Sequence, residues 1–274
     1  MSNLRLAVAG AGGRMGRQIL AAALAPPASP SATPFAIAAG LVRPGSALIG
    51  ADLGTLAGGT ALGLAARSAD EADDALATAD VLVDFARASA TVAFAERAAA
   101  RGLPFITGTS GLSDDQLAAV RACAARIPVL IAANTSLGLT ALLRFLPALV
   151  RALGADYDLE IIETHHRHKA DAPSGTALAI GTVLAGARDQ SLAAQARFGR
   201  EGIAPRAVGE IGIHAIRAGA APGEHRIILA SEGEQIEVLH RAMSRQTYAS
   251  GALHAARWLV GQPPGVYAMG DVLG

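Results

Sequence analysis

Short, continuous apolar runs alternate with amphipathic stretches along the first half of the chain. The runs that predict strands buried on both faces lie at residues 4–9, 35–41, 81–85, 104–107 and 129–132. Helices are predicted between them, including one at 90–100 and one that begins at the capping box of Ser113 and Gln116. Because strands and helices alternate in this way, we expect a doubly wound parallel sheet, the α/β architecture of a Rossmann domain.

The pattern changes after Asn134. A long helix is predicted at about 139–153, then a strand at 159–162, a polar segment and a helix that ends near residue 187. From residue 210 onwards the chain predicts three consecutive strands without crossover helices, at 211–217, 225–230 and 235–240. This arrangement is typical of a second, α+β domain with a mixed or antiparallel sheet.

The two patterns divide the chain into two domains. We expect a Rossmann domain at 1–133, completed by an apolar helix and tail at 246–274, and an α+β domain at 134–245. One broad face of the second sheet must be covered by a helix or by another subunit. The expected members of that face are Ile211, Ile213 and Ala215.

The composition excludes several classes of function. The 274 residues carry a formal net charge of +0, so no global field favours nucleic acid or an anionic membrane surface. The apolar fraction of 51% contains few aromatic residues, which suits helices packed on a parallel sheet. No apolar run reaches membrane-spanning length and the first residues lead into a strand, so we expect a cytoplasmic protein. The one cysteine, Cys123, is expected to be a packing residue on a helix.

The first apolar run ends in a glycine-rich turn with GxGxxG spacing, followed by a helical stretch. In this context the missing side chains permit a tight turn, the approach of a pyrophosphate to backbone N–H groups and close packing of helix on strand. A glycine turn without a ligand is the alternative, but the position between strand and helix favours nucleotide binding. The candidate cofactor residues of this turn are Gly10, Gly12, Gly13, Arg14, Met15 and Gly16.

The segment from Glu163 to Thr176 concentrates three histidines and two permanent cations. Three imidazoles beside Arg167 and Lys169 would repel one another if charged, so the cluster suits an anionic ligand or a proton transfer. Ser174 is predicted to cap a helix whose first N–H groups also attract carboxylate or phosphate. A zinc site is disfavoured because no thiolate or carboxylate accompanies the histidines at metal-ligand spacing, and a solvated basic loop is the other alternative.

These motifs, together with Asp84-Phe85, Thr107-Gly108-Thr109 and Ala132-Ala133-Asn134, closely resemble the dihydrodipicolinate reductase family, also called 4-hydroxy-tetrahydrodipicolinate reductases. The resemblance spans nearly the whole chain, and the histidine-rich segment is its most specific part. It implies NAD(P)H-dependent reduction of a cyclic imine or enamine dicarboxylate in the diaminopimelate route to lysine. It also implies a Rossmann domain completed by the C-terminal helix, and a middle substrate domain whose sheet builds a homotetramer.

The resemblance also implies roles for individual residues. His165 corresponds to the family's proposed proton donor, and Lys169 to its partner in catalysis and carboxylate binding. The substrate carboxylates would be held by His166, Ser174, Gly175 and Thr176. The positions near the cofactor would be Gly108, Thr109, Asn134 and Arg245. The chemistry is consistent, because hydride addition to a conjugated imine builds negative charge that a proton donor must quench.

Two positions depart from the family pattern. Thr135 follows Asn134 where an aromatic residue or Met is frequent, and Val42 ends the second strand where many relatives have an acidic residue. An acidic residue there binds the ribose 2′-OH of NADH, whereas arginine pairs with the 2′-phosphate of NADPH. Since Arg43 follows Val42 and Arg14 lies in the glycine turn, we expect NADPH to be preferred over NADH, with a solvated Arg43 as the alternative. The number of residues between the glycine motif and Val42 is increased by a loop that contains Pro26, Pro27, Pro30 and Pro34.

Two other functions fit parts of the sequence. Another Rossmann reductase of a small dicarboxylate, or a semialdehyde dehydrogenase, would retain the glycine turn. The latter needs a nucleophilic cysteine, and Cys123 lies within a predicted helix. A non-catalytic NAD(P)-sensing protein would have no use for a proton donor, a cation and an anion-binding helix start together. The reductase is therefore the leading prediction, with a small dicarboxylate as its ligand and no metal, nucleic acid or membrane.

Overall fold

A computed structural model describes residues 3–26, 29 and 32–274, so Pro27 and Pro30 of the proline-rich loop lie outside the described residues. The strands of the described part are β1 (Leu4–Ala9), β2 (Phe35–Val42), β3 (Arg67–Ser68), β4 (Val81–Asp84), β5 (Phe105–Thr107), β6 (Pro128–Ile131), β7 (Asp158–His165), β8 (Ala196–Phe198), β9 (Ile211–Arg217), β10 (Glu224–Ala230), β11 (Gln235–Arg241) and β12 (Gly265–Tyr267). Its helices are α1 (Arg14–Leu24), α2 (Leu53–Leu56), α3 (Ala72–Ala75), α4 (Ala88–Ala100), α5 (Asp114–Ala122), α6 (Leu137–Leu153), α7 (Gly175–Gly186), α8 (Leu192–Gln195), α9 (Gln246–Leu259) and α10 (Met269–Val272). None of these helices is both long enough and apolar enough to cross a bilayer.

The chain forms two compact units, and the first combines Met1–Leu137 with Arg245–Gly274. Its seven-stranded sheet has the order β12-β6-β5-β4-β1-β2-β3, and all the paired strands run parallel. Strand β1 shows why the apolar runs are continuous: Leu6 packs in the core under α1 and α9, and Ala7 in the core under α4 and α5. Both faces of the sheet are therefore covered by helices.

The second unit, Gly138–Ser244, contains a five-stranded mixed sheet with the order β11-β10-β7-β9-β8. Strand β10 is antiparallel to its neighbours β11 and β7, whereas β7 and β8 pair in parallel with β9. One face packs on α6 and α7, where Ile211 and Ile213 join the core with Ile180 and Leu184. Helices of the same unit therefore cover this face, and Ala215, which we expected to share it, is exposed.

The α/β fold class is confirmed. The sequence patterns did not predict the short strands β3, β8 and β12 or the short helices α2, α3, α8 and α10, and some predicted elements end at other residues. The predicted strand at 159–162 extends to His165, because β7 is paired along both edges with β9 and β10. The helix that begins at the capping box of Ser113 ends at Ala122 and continues as the 3₁₀ turn Cys123–Ala125. The first of the clustered histidines consequently lies on a strand and not in a loop.

Candidate functional site

The glycine turn between β1 and α1 has the geometry of a phosphate cradle. Gly10 has a φ of +78°, and a Cβ atom there would lie 2.6 Å from the carbonyl oxygen of Phe85. At Gly16 a Cβ atom would lie 2.1 Å from the carbonyl oxygen of Gly10, so only glycine lets α1 pack this closely on the turn. Gly13 is the N-cap of α1 and provides no side-chain cap, and the first turn carries no acidic residue. The N–H groups and positive dipole end of α1 are therefore disposed to bind a phosphate.

A cavity of about 690 Å³ lies beside this turn. The turn residues Gly10, Gly12 and Gly13, the end of β2 and the segment after β4 line it. Arg43 and Arg87 both contribute to the lining and both are exposed, whereas the described lining residues include no Asp or Glu. The lining thus offers positive charge without carboxylate repulsion to an anionic ligand.

Arg87 is a lining residue that the sequence interpretation missed. It follows Phe85 and Ala86 at the carboxyl end of β4, next to the glycine turn at the end of β1. Ligands of open α/β sheets bind outside the carboxyl ends of the strands, so this rule could have identified it. In contrast, Arg14 and Met15 belong to the first turn of α1 and are not among the residues that line the cavity.

The predicted loop at Gly108 and Thr109 is fixed to β4 by the buried Asp84. The N–H of Gly108 donates to the carbonyl oxygen of Asp84 at 3.0 Å, and the Thr109 hydroxyl donates to Oδ2 of Asp84 at 3.0 Å. A Cβ atom on Gly108 would lie 2.2 Å from the ring of Phe85, so glycine is required for this close approach. Burial raises the pKa of Asp84, against the hydrogen bonds that it accepts.

Asn134 and Arg245 stand at two connections of the first unit. Oδ1 of Asn134 accepts the N–H of Ser136 at 2.9 Å, and Arg245 is the N-cap residue of α9. Thr135, which follows Asn134, is 1% exposed, and its hydroxyl donates to the carbonyl oxygen of Tyr248 in α9 at 2.7 Å. The departure at Thr135 therefore has a structural role, which is to fasten α9 to the residues after β6.

In the second unit, β7 places Glu163 and His165 on the same buried face. Nδ1 of His165 lies 2.6 Å from Oε2 of Glu163. Arg217 donates to both carboxylate oxygens of Glu163, with two distances of 2.7 Å, and the N–H of Ser174 donates to Oε1 at 3.0 Å. The ring of His225 meets the His165 ring edge-on, with 5.3 Å between the ring centroids.

The charges in this cluster follow from burial and hydrogen bonding. Burial alone would raise the pKa of Glu163, but the hydrogen bonds from Arg217, His165 and the backbone of Ser174 outweigh it and lower the pKa. Burial, together with repulsion from His165, lowers the pKa of His225 to about 3. At neutral pH His165 is therefore next to an ionised carboxylate and an uncharged imidazole.

The start of α7 is capped as predicted, but the Ser174 side chain is buried. Its Oγ accepts the N–H of Ala177 at 3.1 Å and lies 3.0 Å from Nε2 of His225. Ser174 is only 2% exposed, so its hydroxyl acts within the protein. At the same helix end Gly175 is exposed and Thr176 is partly exposed, so these two residues are the ones accessible to a ligand.

His166 and Lys169 lie in the segment between β7 and α7. The N–H of His166 donates to the carbonyl oxygen of Ala221 at 2.9 Å. Nζ of Lys169 is paired with the Asp171 carboxylate at 2.7 and 2.8 Å, and this hydrogen bond lowers the pKa of Asp171. Asp171 is exposed, so an anionic ligand could take its place at Lys169.

Sequence reasoning missed the residues that surround His165 from neighbouring strands. Arg217 is opposite His165 in the pairing of β7 with β9, and His225 is opposite Glu163 in the pairing with β10. Their register could not be derived from the residues alone. Across the described part of the chain, no group of three or more His, Cys, Asp or Glu side chains is arranged to hold a metal ion.

Comparison with protein families identifies the chain. A family model described as dihydrodipicolinate reductase, N-terminus, matches residues 4–135, and one described as dihydrodipicolinate reductase, C-terminus, matches residues 138–273. The chain belongs to the dihydrodipicolinate reductase family. The family resemblance predicted from the sequence motifs is thereby confirmed.

Individual relatives within the family are similar over their full length. The 4-hydroxy-tetrahydrodipicolinate reductase of Rubrobacter xylanophilus is 47% identical over 270 residues, and that of Alkalilimnicola ehrlichii is 45% identical over 271 residues. In both comparisons 98% of each chain is covered. The dipicolinate-bound dihydrodipicolinate reductase from Paenisporosarcina sp. TG-14 is 20% identical, with a TM-score of 0.70 over 97% of this chain and 98% of that one. This last likeness shows a shared fold.

Proposed function

We propose that the protein reduces 4-hydroxy-tetrahydrodipicolinate to tetrahydrodipicolinate in the diaminopimelate route to lysine, with NADPH as the preferred hydride donor. Its similar relatives are named for this substrate. The observation that carries the proposal is one segment that contains His165, Lys169 and the capped start of α7. Within it, Glu163 links His165 to the N–H of Ser174, the N-cap residue of α7. A dicarboxylate requires such a combination, because cations and helix N–H groups bind its two carboxylates.

The accessible residues of this segment would bind the substrate. Lys169 would exchange its bond to Asp171 for a substrate carboxylate, while Gly175 and Thr176 would hold a carboxylate at the start of α7. His166 completes the proposed substrate residues. Ser174 contributes by capping α7, since its hydroxyl is engaged with Ala177 and His225. His165 would supply the proton that quenches the charge left by hydride addition.

The first unit has the features that a dinucleotide cofactor needs. A Cβ atom at Gly10 or Gly16 would fill the space at the turn, and the cavity beside it contains Arg43 and Arg87 without a carboxylate in its described lining. This charge pattern supports NADPH, because a carboxylate would repel the 2′-phosphate whereas arginine pairs with it. When bound, the reduced nicotinamide supplies the hydride. The further proposed cofactor residues are Gly12, Gly13, Arg14, Met15, Gly108, Thr109, Asn134 and Arg245.

We further propose that the chain forms a homotetramer through the sheet of its second unit. The face opposite α6 and α7 carries Ile216 and Leu239, each 45% exposed, and the partly exposed Ile162 and Ile228. Although this face also carries charged side chains, its exposed apolar side chains favour association between copies of the chain. Light scattering coupled to gel filtration measures the mass of the protein in solution. A monomeric wild-type protein would contradict this assembly.

A semialdehyde dehydrogenase is not supported by the environment of Cys123. The residue is 5% exposed, and its Sγ lies 3.6 Å from the carbonyl oxygen of Ala119, within hydrogen-bond range. Burial raises the pKa of the thiol, so little of the nucleophilic thiolate forms at neutral pH. Cys123 is a packing residue at the end of α5.

A coupled assay tests the proposed reaction. Dihydrodipicolinate synthase supplies the unstable substrate, and oxidation of NADPH by the purified protein is followed in the presence and absence of the synthase. We expect oxidation that depends on the synthase, and in His165→Ala a much larger loss of kcat than of NADPH affinity. A folded wild-type protein that oxidises no NADPH under these conditions would remove the proposal.

A further inference from the structure

We propose that Glu163, clamped by Arg217, is a positioning residue that fixes the His165 ring through Nδ1 and so leaves Nε2 to deliver the proton. The inference rests on the proposed reductase function and deepens it by naming what orients the proton donor. It begins from the 2.6 Å distance between Nδ1 of His165 and Oε2 of Glu163. Because an ionised carboxylate only accepts hydrogen bonds, the hydrogen between these atoms belongs to Nδ1.

Each oxygen of the Glu163 carboxylate accepts two hydrogen bonds. Oε2 accepts from His165 and from Nη1 of Arg217, and Oε1 accepts from Nη2 of Arg217 and from the N–H of Ser174. Glu163 has no exposed surface, so water does not compete for these bonds. The bidentate contact holds the carboxylate in one plane, and its rotation would break bonds on both oxygens.

Because Glu163 engages Nδ1 of His165, Nε2 is the ring nitrogen left for transfer. His225 on β10 is neutral and packs edge-on, Arg217 on β9 is paired with Glu163, and Lys169 is paired with Asp171. A carboxylate at Nδ1 selects the tautomer of the ring that carries its hydrogen on Nδ1.

The proton transfer balances with the hydride step. The hydride forms a new C–H bond on the substrate ring, and the displaced electron pair moves to the conjugated atom of that ring. The Nε2–H bond of the doubly protonated His165 then breaks, its electron pair stays on Nε2, and the proton bonds to that substrate atom. The ring is left with its hydrogen on Nδ1, where Glu163 holds it, and solvent returns the proton to Nε2.

A second carboxylate on the same strand provides a matched control. Glu160 lies on the opposite face of β7, where it contacts Nε2 of His214 at 2.7 Å and Arg200 at 2.8 Å, and it also pairs with Arg206. Both networks join a glutamate, a histidine and arginine. Only the Glu163 network contains a residue with a proposed catalytic role. If Glu163 had a purely structural function, substitutions at Glu163 and Glu160 would change kcat to a similar extent.

The test compares Glu163→Gln with Glu160→Gln by steady-state kinetics and by dipicolinate inhibition. We expect Glu163→Gln to lower kcat roughly tenfold or more while KM and the inhibition constant stay within about threefold, as found when a group that orients a histidine is removed. Glu160→Gln should lower the melting temperature and leave kcat within about twofold, with gel filtration confirming its assembly. Glu163→Asp should recover part of kcat.

A spectroscopic readout follows the ring itself. Nitrogen-15 spectra of histidine-labelled protein distinguish protonated from bare ring nitrogens, and His165→Asn assigns the signal. We expect Nδ1 of His165 to be protonated in the wild type, and this signal to change in Glu163→Gln. If Glu163→Gln does not fold, Arg217→Lys removes one arm of the clamp and should lower kcat by a smaller factor.

The outcomes separate the inference from the function on which it rests. Wild-type turnover with an unchanged kcat and ring signal in Glu163→Gln would overturn the positioning role and leave the reductase standing. Equal losses of kcat in Glu163→Gln and Glu160→Gln would also overturn it. A wild-type protein without turnover would remove the reductase, and the ring spectra would then still decide whether Glu163 holds the tautomer.

Discussion

The hydroxyl of Thr109 donates to Oδ2 of Asp84 across 3.0 Å and so ties the loop after β5 to the end of β4. The same oxygen accepts from the hydroxyls of Thr91 at 2.8 Å and Thr107 at 3.0 Å, while Oδ1 accepts the N–H of Ala86 at 2.9 Å. One buried carboxylate therefore holds three segments at the carboxyl end of the parallel sheet, where the cofactor is proposed to bind.

Asp84→Asn should weaken cofactor binding. The substitution replaces one of the two acceptor oxygens with a donor, so either the threonine hydroxyls or the N–H of Ala86 lose their acceptor. This loss should cost about 1–3 kcal/mol of stability and loosen the loop at Thr109. We expect a raised dissociation constant for NADPH, measured by fluorescence titration, and a lower melting temperature. Asp80→Asn is the control, because Asp80 pairs with Arg5 at the surface beside the start of β4. An Asp84→Asn protein that binds NADPH like the wild type would show that the carboxylate does not organise this site.

His225 should make the protein less stable in acid. Its pKa of about 3 lies below the ordinary value because of burial and the nearby His165, with His240 and Lys169 adding repulsion and Glu163 opposing it. In the unfolded chain this residue becomes protonated below about pH 6.5, whereas in the folded chain it stays neutral until about pH 3. The free energy of unfolding should therefore fall across this interval as pH falls, by at most roughly 1.4 kcal/mol per pH unit from this group.

Urea unfolding of the wild type and of His225→Gln at several pH values isolates this contribution. Glutamine can still reach the Ser174 hydroxyl but does not titrate, so the variant should show a flatter dependence on pH between about 3 and 6.5. Parallel curves for the two proteins would mean that His225 binds its proton equally well in the folded and unfolded states.

Thr176→Val should weaken substrate binding. The substitution preserves size and deletes a hydroxyl that the proposed substrate carboxylate would use, which should cost about 1–3 kcal/mol of apparent affinity. The inhibition constant of dipicolinate measures the loss. Thr182→Val on the same helix is the matched control, because its hydroxyl donates to the carbonyl oxygen of Leu178 within α7. Similar inhibition constants for Thr176→Val and the wild type would exclude the hydroxyl from the carboxylate site.

Arg43→Ala should distinguish the two nicotinamide cofactors. Arg43 lines the cavity beside the glycine turn. The residue before it, at the end of β2, is the buried Val42 and not an acidic residue. If Arg43 pairs with the 2′-phosphate, its loss should raise KM for NADPH and leave KM for NADH almost unchanged. Arg101→Ala, which removes a surface pair with Asp73, should alter neither. Equal increases for both cofactors would assign the 2′-phosphate to another residue.

Sequence patterns predicted most of the fold because local rules control most of it. The apolar runs at β1, β2 and β4 are buried on both faces, and the capping box at Ser113 begins α5 as expected. Periodicity therefore predicted five of the seven strands of the first sheet, but not the short edge strands β3 and β12. The end of β7 was missed because its last residues are polar, and pairing with β9 and β10 extends it to His165.

The residues that contact the candidate site from neighbouring strands were harder to predict from the sequence. Thr176 and Lys169 lie in one recognisable segment, whereas Arg217 and His225 reach Glu163 and Ser174 only through strand register. The family resemblance also placed Ser174 among the residues that hold the substrate carboxylates, a prediction that stays untested, while the structure shows that its hydroxyl caps α7. Arg87 was overlooked because its approach to the glycine turn depends on β4 lying beside β1.

The most direct test of the proposed reaction follows the hydride into the product. The protein is supplied with NADPH deuterated at both C4 positions and with substrate made by dihydrodipicolinate synthase, and the product is analysed by mass spectrometry. We expect tetrahydrodipicolinate that carries a single, non-exchangeable deuterium on carbon. A product without carbon-bound deuterium, or NADPH consumed without formation of tetrahydrodipicolinate, would contradict it.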